Sequence, residues 1–393
     1  MRRAPLVPAV VVAALVGAAV ALAVGAGFRG RTETVVLPAA TTAGVPVPAS
    51  APLARVGAFD AAGVYARRAA GVVTIFAYFG KAGEAGSQAS QGSGFVVDGA
   101  GTILTNSHVI TNAGEGAPVA AADRLYVEFS DHDRIPARVV GWDVYDDVGV
   151  LRVDPKAHAL TAVPLGSSAR VVVGEPVAAI GSPFGNENSL AVGVVSAVRR
   201  SISSLTSDYQ LVDAIQTDAP INHGNSGGPL FDARGDVIGI SAQIRTEANG
   251  NADGVGFAVP IDSARRSMQQ LLAHGRVAYA YVGITSEDLT PTLARHFGYA
   301  VTRGAVVDSV RIGSPGARAG IHGGSQDVQV FDTPFTRGGD VVVAIAGRPV
   351  SGADDVVRIV SEHLLPGQTV TFTVVRGKRT LKLPVTLTAR PPS

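Results

Sequence analysis

The chain contains no cysteine among its 393 residues, so a thiol nucleophile, a disulfide framework and a zinc–thiolate site are excluded together. Without thiols the chain is indifferent to redox conditions, and its stability has to come from packing. An excess of charge of one sign is missing too. Lys and Arg total 33 against 32 Asp and Glu, and no concentrated basic patch breaks that balance, which leaves nucleic-acid binding without its electrostatic footprint. No cluster with metal-ligand spacing and no nucleotide-binding loop is found, so neither metal nor cofactor is expected. Aromatic residues are sparse, whereas glycine is abundant at 47, and short Val-rich runs recur between Gly, Asp, Asn and Pro punctuation. That texture belongs to β-proteins rather than helical bundles. The length exceeds a typical domain of about 100 to 200 residues, which predicts two folded units plus a targeting segment.

Between Arg3 and Arg29 lie 25 residues without a charge. As a helix rising about 1.5 Å per residue, they would cross roughly 30 Å of hydrocarbon. Residues 1–29 are therefore read as a single membrane anchor. Ala21-Leu22-Ala23 offers a small-residue cleavage site, so the alternative is a signal peptide whose removal leaves a secreted or periplasmic protein. Arg2 and Arg3 face Arg29 and Arg31 across the run, and charge barely orients it. Either reading exports the remainder. Residues 30–58, interrupted by Pro38, Pro46, Pro48 and Pro52, form a spacer that cannot build regular ladders.

From residue 93 onward strand and turn signals alternate without intervening helices, which argues for sandwiches or barrels. The first plausible long helix is Ser263 to His274, with Asp262 as its N-cap and Gly275 as its C-terminal stop. The chemistry centres on GNSGGPL at 224–230. A serine between glycines lets the backbone turn tightly, so that the N–H groups of Gly224 and Ser226 can converge on one oxyanion. The bland reading is an ordinary Gly-rich turn. A serine hydroxyl needs an imidazole to take its proton and an acid to orient that imidazole. Among the eight histidines, His108 ends a predicted strand in LTNSHVI, where a short turn exposes the ring. His223, three residues before Ser226, would point away along the loop, and His132, His158, His274, His296, His322 and His363 read as solvated loop or helix-end residues. For the acid, Asp147 immediately precedes the apolar run Val148 to Leu151. Asp143 and Asp146 are rivals, explained more simply as members of an Asp-rich surface turn.

The segment GNSGG also satisfies the G-x-S-x-G elbow of α/β-hydrolases, with Asp253 and His274 as possible partners. That elbow requires a helix directly after the serine. Here Pro229 and the turn Asp232-Ala233-Arg234-Gly235 follow, with β-type Val237 to Ile240 beyond.

The segments TNSHVI, DDVGVLRV and QTDAPINHGNSGGPL resemble, in order and separation, the three catalytic segments of the HtrA/Deg family of trypsin-like serine proteases. IGSPFG, LAVGVVSAV and GFAVPID are similar to that family's intervening strands, and the likeness runs from roughly 65 to 390. It implies a mostly β protein: a chymotrypsin-like double β-barrel protease domain over 59–275 and an α+β PDZ domain over 276–390. It implies His108 as general base, Asp147 as orienting acid, Ser226 as nucleophile, and an oxyanion hole built from the Gly224, Asn225 and Ser226 backbone. His223 departs from the family, which has Pro or Arg there.

In trypsin-like proteases that cut after Arg or Lys, an acid lies six residues before the nucleophile. Here that position is Pro220, and the resemblance puts the next residue, Ile221, in the pocket wall. An apolar pocket disfavours a basic side chain, because an unpaired buried charge costs far more than a missing methylene. Cleavage after small aliphatic residues is expected. The region AYVGITSEDL, GGDVVVAIAGRPV and ADDVVRIVSEHLL resembles a bacterial PDZ domain, in which Tyr281, Val282, Gly283 and Ile284 would hold the carboxylate of an added C-terminal strand. The segment from His322 to Gly338 is longer than the family's usual link. The final strands form a hairpin around Arg376-Gly377-Lys378-Arg379. Together these features suggest an exported endopeptidase acting on misfolded or signal proteins, with unfolded or C-terminally exposed polypeptides as partners. The family's trimeric habit implies a homo-oligomer, to which Phe59 to Tyr65 could contribute. The alternative is a proteolytically silent PDZ scaffold or chaperone.

Overall fold

A computed structural model describes residues 59–80, 88–114, 118–182, 189–207, 209–221, 224–242, 255–330 and 333–391. The expected anchor at 1–29 and spacer at 30–58 lie outside them, as do His223 and Asp253. Among the described residues no helix is long and apolar enough to cross a membrane.

Twelve strands form two closed antiparallel barrels. The first comprises β1 (Val72–Phe79), β2 (Gln88–Val96), β3 (Thr102–Thr105), β4 (Arg124–Glu128), β5 (Arg134–Asp143) and β6 (Val148–Val153), in the order β1-β2-β3-β6-β5-β4. The second comprises β7 (Pro176–Gly181), β8 (Ser189–Ser203), β9 (Gln210–Thr217), β10 (Pro229–Phe231), β11 (Val237–Ala242) and β12 (Gly256–Pro260), in the order β10-β11-β12-β9-β8-β7.

Three apolar clusters explain why several strands read as unbroken hydrophobic runs. Successive side chains on a strand point to opposite faces, and here both faces are covered. In β7, Val177 and Ala179 fill the second barrel with Ile215, Leu230 and Ile238. Ala178 and Ile180, one residue out of phase, instead join Phe95, Leu104, Val148 and Phe231 in a seam between the barrels. The first barrel's interior holds Ile75, Ile103, Leu125, Val127 and Leu151. Phe95 and Phe231 are fully buried in the seam, and truncating either to Ala costs about 3–5 kcal/mol.

Two helices reinforce that seam. Ala61–Arg68, capped by Asp60, whose side chain accepts from the Gly63 amide, contributes Val64, and Ile261–His274 contributes Ile261, Ala264 and Leu271. The second helix stops at Gly275 in the left-handed region (φ 68°) as expected, but starts earlier than its sequence suggests. Pro260 is its N-cap residue. Asp262 sits in the first turn and accepts instead from Ser167, Ser168 and the Ala169 amide.

Beyond Gly275 follow β13 (Ala280–Tyr281), β14 (Ile284–Leu289), β15 (Gly304–Val310), β16 (Gln326–Val330), β17 (Thr333–Arg337), β18 (Val341–Ile345), β19 (Arg348–Pro349), β20 (Thr369–Arg376), β21 (Arg379–Thr386) and β22 (Thr388–Ala389). The main sheet runs β14-β15-β18-β20-β21, with β19 on β18, and β13 pairs with β22. The four residues Tyr281 to Ile284, expected to hold a carboxylate, do not form one continuous strand. Tyr281 ends one strand, Val282 and Gly283 form a connection, and Ile284 begins the next. The helix Ala353–His363 buries Val356, Ile359 and Val360 against the sheet.

The long segment between His322 and Gly338 folds into the hairpin β16–β17. Its Phe335 packs with Leu289 and Val306 of the sheet, whereas Asp288, adjacent to Leu289, accepts from the Ala353 amide at the start of the helix. Adjacent strand residues face opposite ways, so the hairpin lies on the sheet face away from the helix. The groove between β14 and the helix is left open by it.

Candidate active site

Directly after β3 the chain makes a single helical turn, Ser107–Ile110, rather than ending as a strand, and His108 sits on it. Around it the Asp147 carboxylate is the common acceptor. Its Oδ1 takes hydrogen bonds from Ser107 Oγ at 2.7 Å and from the His108 amide at 3.1 Å, and its Oδ2 lies 2.8 Å from His108 Nδ1. Asn106 Nδ2 donates to the Asp147 carbonyl at 2.8 Å. A carboxylate can only accept, so Nδ1 carries the proton and Nε2 is the nitrogen able to take one. Burial disfavours the imidazolium, but the charge of Asp147 and its hydrogen bond outweigh this and raise the His108 pKa above 6.5. Asp147 itself adopts φ +50°, a left-handed conformation that non-glycine residues hold only where surrounding contacts enforce it.

Those contacts overturn the surface-turn explanation for the rival acids. Asp143 and Asp146 are both buried. Asp143 Oδ2 accepts from Ser267 Oγ and from Tyr279 Oη, each at 2.6 Å, and Asp146 pairs with Arg266 at 2.9 Å. Burial first, then the charge of Asp146, push the Asp143 carboxyl up to about 6 against its hydrogen bonds. Neither is placed by these contacts on the imidazole. Sequence inspection missed their structural part because their partners come from residues more than a hundred positions away.

The serine arrives from the second barrel. Its turn is held by Ser93 in the first barrel, whose amide donates to the Ser226 carbonyl at 2.8 Å and whose Oγ donates to the Gly224 carbonyl at 2.6 Å. Nothing in GSGF flagged Ser93 beforehand. The glycines are required by close approach rather than by turning alone. A Cβ on Gly227 (φ +86°) would run into the Ser93 carbonyl and Thr105 Oγ1, with the Asn106 amide N 3.2 Å away. This packing brings Ser226 alongside the turn that carries His108. Gly224 has φ +98°, and no described residue accepts from the amides of Gly224, Asn225 or Ser226. Ser226 Oγ is buried and has no hydrogen-bond partner among the described residues, His108 included.

Asn225 turns its Nδ2 to the Pro220 carbonyl at 3.2 Å. Ile221 lies across from Gly256, where an added Cβ would meet Ile221 Cγ1 at 2.5 Å. Two elements of the second barrel are thus held close by an apolar contact beside the serine turn. His158, expected in a solvated loop, is stacked on Phe129 with ring centroids 3.8 Å apart and pairs with Asp131. No group of three or more potential metal ligands occurs among the described residues. The hydrolase elbow is also excluded, because the short strand β10, not a helix, follows Ser226.

In the second unit, the Val282 carbonyl accepts from the Gly316 amide and the Gly283 carbonyl from the Arg311 amide. Gly283 has φ +76°, and a Cβ there would strike Ser314. No described residue accepts from the amides of Val282 or Gly283. β14 pairs with β15 alone among the described strands, an edge to which another strand can add.

Known proteins share this pair of folds. The trypsin-like peptidase domain family matches residues 92–240 and the PDZ domain family matches residues 280–387. The Synechocystis protein named "Putative serine protease HhoA" is 36% identical over 305 residues, covering 76% of this chain and 70% of its own. An Ectopseudomonas mendocina protein named "Probable periplasmic serine endoprotease DegP-like" is 37% identical over 302 residues, and the matched part is 77% of this chain but 57% of that relative. The chain therefore spans little more than half the length of the DegP-like relative. A solved structure of the HtrA-type protease AlgW with a tripeptide superposes with a TM-score of 0.69 at 32% identity, covering 85% of this chain and 98% of that one. With two barrels, an open-edged PDZ sheet and relatives that share both, the chain belongs to the HtrA/Deg family of trypsin-like serine endopeptidases with a C-terminal PDZ domain.

Proposed function

We propose that the chain hydrolyses peptide bonds through Ser226, His108 and Asp147. The observation that carries this reading is the Asp147 carboxylate, which grips the His108 ring at Nδ1 and its backbone amide together and so frees Nε2 as base. Ser226 Oγ attacks the scissile carbonyl while its proton passes to Nε2. Asp147 stabilises the imidazolium that results. The carbonyl oxygen, now negative, is received by the amides of Gly224 and Ser226. The imidazolium then protonates the leaving amine, and water, activated by the same ring, releases the acyl group.

Among the described residues the Ser226 hydroxyl has no hydrogen-bond partner, and this reading requires the imidazole to come within proton-transfer reach of it during turnover.

The Ile221–Gly256 contact supports a shallow apolar primary pocket that takes Val, Ala or Ile and rejects Arg and Lys. The Val282–Gly283 amides and the β14 edge support capture of a polypeptide C-terminus by strand addition, consistent with the tripeptide and decapeptide of the AlgW structures. Leu190, Val192 and Val194, exposed on one face of β8 near exposed Val172 and Val173, form an apolar strip that supports self-association, read as a trimer. The periplasmic naming of DegP-like relatives supports action outside the cytoplasm on misfolded or signal proteins, tethered through residues 1–29 or released after their cleavage.

Casein hydrolysis tests this reading against a silent PDZ scaffold. The protease reading requires turnover by the wild type and none by Ser226→Ala. Equal activity of the two proteins supports the scaffold.

A further inference from the structure

Near the end of β22 and its continuation, one guanidinium is enclosed by three aromatic rings from three separate segments. Arg390 Cζ lies 4.9 Å from the ring centroid of Tyr145, 4.5 Å from Tyr209 and 4.9 Å from Tyr279. Tyr145 belongs to the turn between β5 and β6 that ends in Asp147, Tyr209 immediately precedes β9, and Tyr279 lies in the link between the protease and PDZ folds. The rings also brace each other edge to face, with Tyr145 centred 5.4 Å from Tyr209 and 5.2 Å from Tyr279.

The backbone around Arg390 is tied into the same knot. Its amide donates to the Tyr279 carbonyl at 2.9 Å, and the following Pro391 carbonyl accepts from Tyr145 Oη at 2.9 Å. Nη2 of Arg390 reaches Ser361 Oγ at 3.0 Å, on the helix that borders the PDZ groove. From the protease side, Tyr279 Oη holds Asp143 and Thr206 Oγ1 donates to the Val144 carbonyl at 2.5 Å. Every residue from Asp143 to Asp146 is thus fastened, and Asp147, which follows, is held in a left-handed conformation. A half-buried guanidinium over aromatic faces is worth more than a fully hydrated one.

We propose that Arg390 of the PDZ fold is a positioning residue for the catalytic acid: caged by Tyr145, Tyr209 and Tyr279, it fixes the turn that aims Asp147 at His108. This rests on the triad reading above. It makes proteolysis depend on a docked PDZ terminus even when no PDZ ligand is bound.

The test compares wild type, Arg390→Ala, Arg390→Lys and Tyr209→Leu on an unstructured peptide ending its recognised segment in Val, with kcat and KM measured across pH. Arg390→Ala is expected to lower kcat on the order of tenfold, the size of one or two partly desolvated cation–π contacts, with KM unchanged. Its acid limb in kcat/KM should shift to lower pH, because a loosened Asp147 supports the imidazolium less. Arg390→Lys should keep most of the activity, and Tyr209→Leu should move both quantities in the same direction as Arg390→Ala by less. Simple loss of a nearby positive charge would move the acid limb upward instead. An upward or absent shift, or an unchanged kcat in Arg390→Ala of normal melting temperature, overturns the proposal. If Arg390→Ala does not fold, Tyr209→Leu decides on the same criteria. Absence of Ser226-dependent turnover in the wild type would instead remove the triad reading beneath it.

Discussion

Tyr279, in the link between the two folds, donates its hydroxyl at 2.6 Å to Asp143, four residues before Asp147. The Asp143 carboxyl ionises at about 6 in the fold against 3.8 ordinarily. The folded protein therefore holds this proton more tightly than the unfolded chain does, and its contribution to stability declines as pH rises from about 4 to 6. Urea unfolding of wild type and Asp143→Asn should show a stability difference that shifts against the wild type as pH rises from about 3.5 to 7. A difference independent of pH would contradict the assignment.

Asp146 and Asp147 are neighbours with opposite contacts, one on Arg266 and one on His108. Asp147→Asn places an amide where the imidazole needs an acceptor, and kcat should fall by about 10⁴. Asp146→Asn breaks a buried ion pair with Arg266 that does not touch the imidazole, so it should lower stability while leaving kcat within roughly tenfold. Steady-state kinetics on one peptide distinguish them. Equal loss in both variants would mean that the acid has been misassigned.

The His108 pKa lies above the ordinary 6.5, with Asp147 prevailing over burial. General-base action needs the neutral ring, so kcat/KM should rise with pH through a midpoint above 6.5. The pair's contribution to stability has the opposite trend: complete below the unfolded value of 6.5, it is lost as pH rises through the folded value. An acid limb centred below 6 in the wild type would show that Asp147 does not support the ring.

Ile221 faces Gly256 across the region beside the serine turn. Removing three carbons in Ile221→Ala should deepen the pocket, raising kcat/KM for Leu- or Phe-terminated segments relative to Val by about 10- to 100-fold. Arg-terminated substrates should remain poor for both proteins, since no carboxylate is added. Efficient cleavage after Arg by the wild type would refute the apolar pocket.

Much of this was legible from residue order. The β-strands follow from short apolar runs set between turn residues, and Gly275 stops its helix where a C-terminal stop was expected. GNSGG marked the tight turn that carries Ser226, held in the fold by Ser93. What could not be read was which side chains at long range support it. Ser93 looks like any strand serine until its amide and hydroxyl are seen holding Ser226 and Gly224. Asp143 looked like turn decoration because Ser267 and Tyr279, which bury it, lie 124 and 136 residues away. Asp262 resembled a cap because it precedes a helical pattern, yet its carboxylate is engaged by Ser167 and Ser168. The hairpin at 326–337 was visible only as extra length.

The most direct measurement is covalent labelling with a fluorophosphonate, followed by mapping of the modified residue. The account predicts a single adduct on Ser226, strongly slowed in His108→Ala and in Asp147→Asn at pH 7. Failure of folded wild type to label at Ser226, or labelling at an unchanged rate without His108, would contradict it.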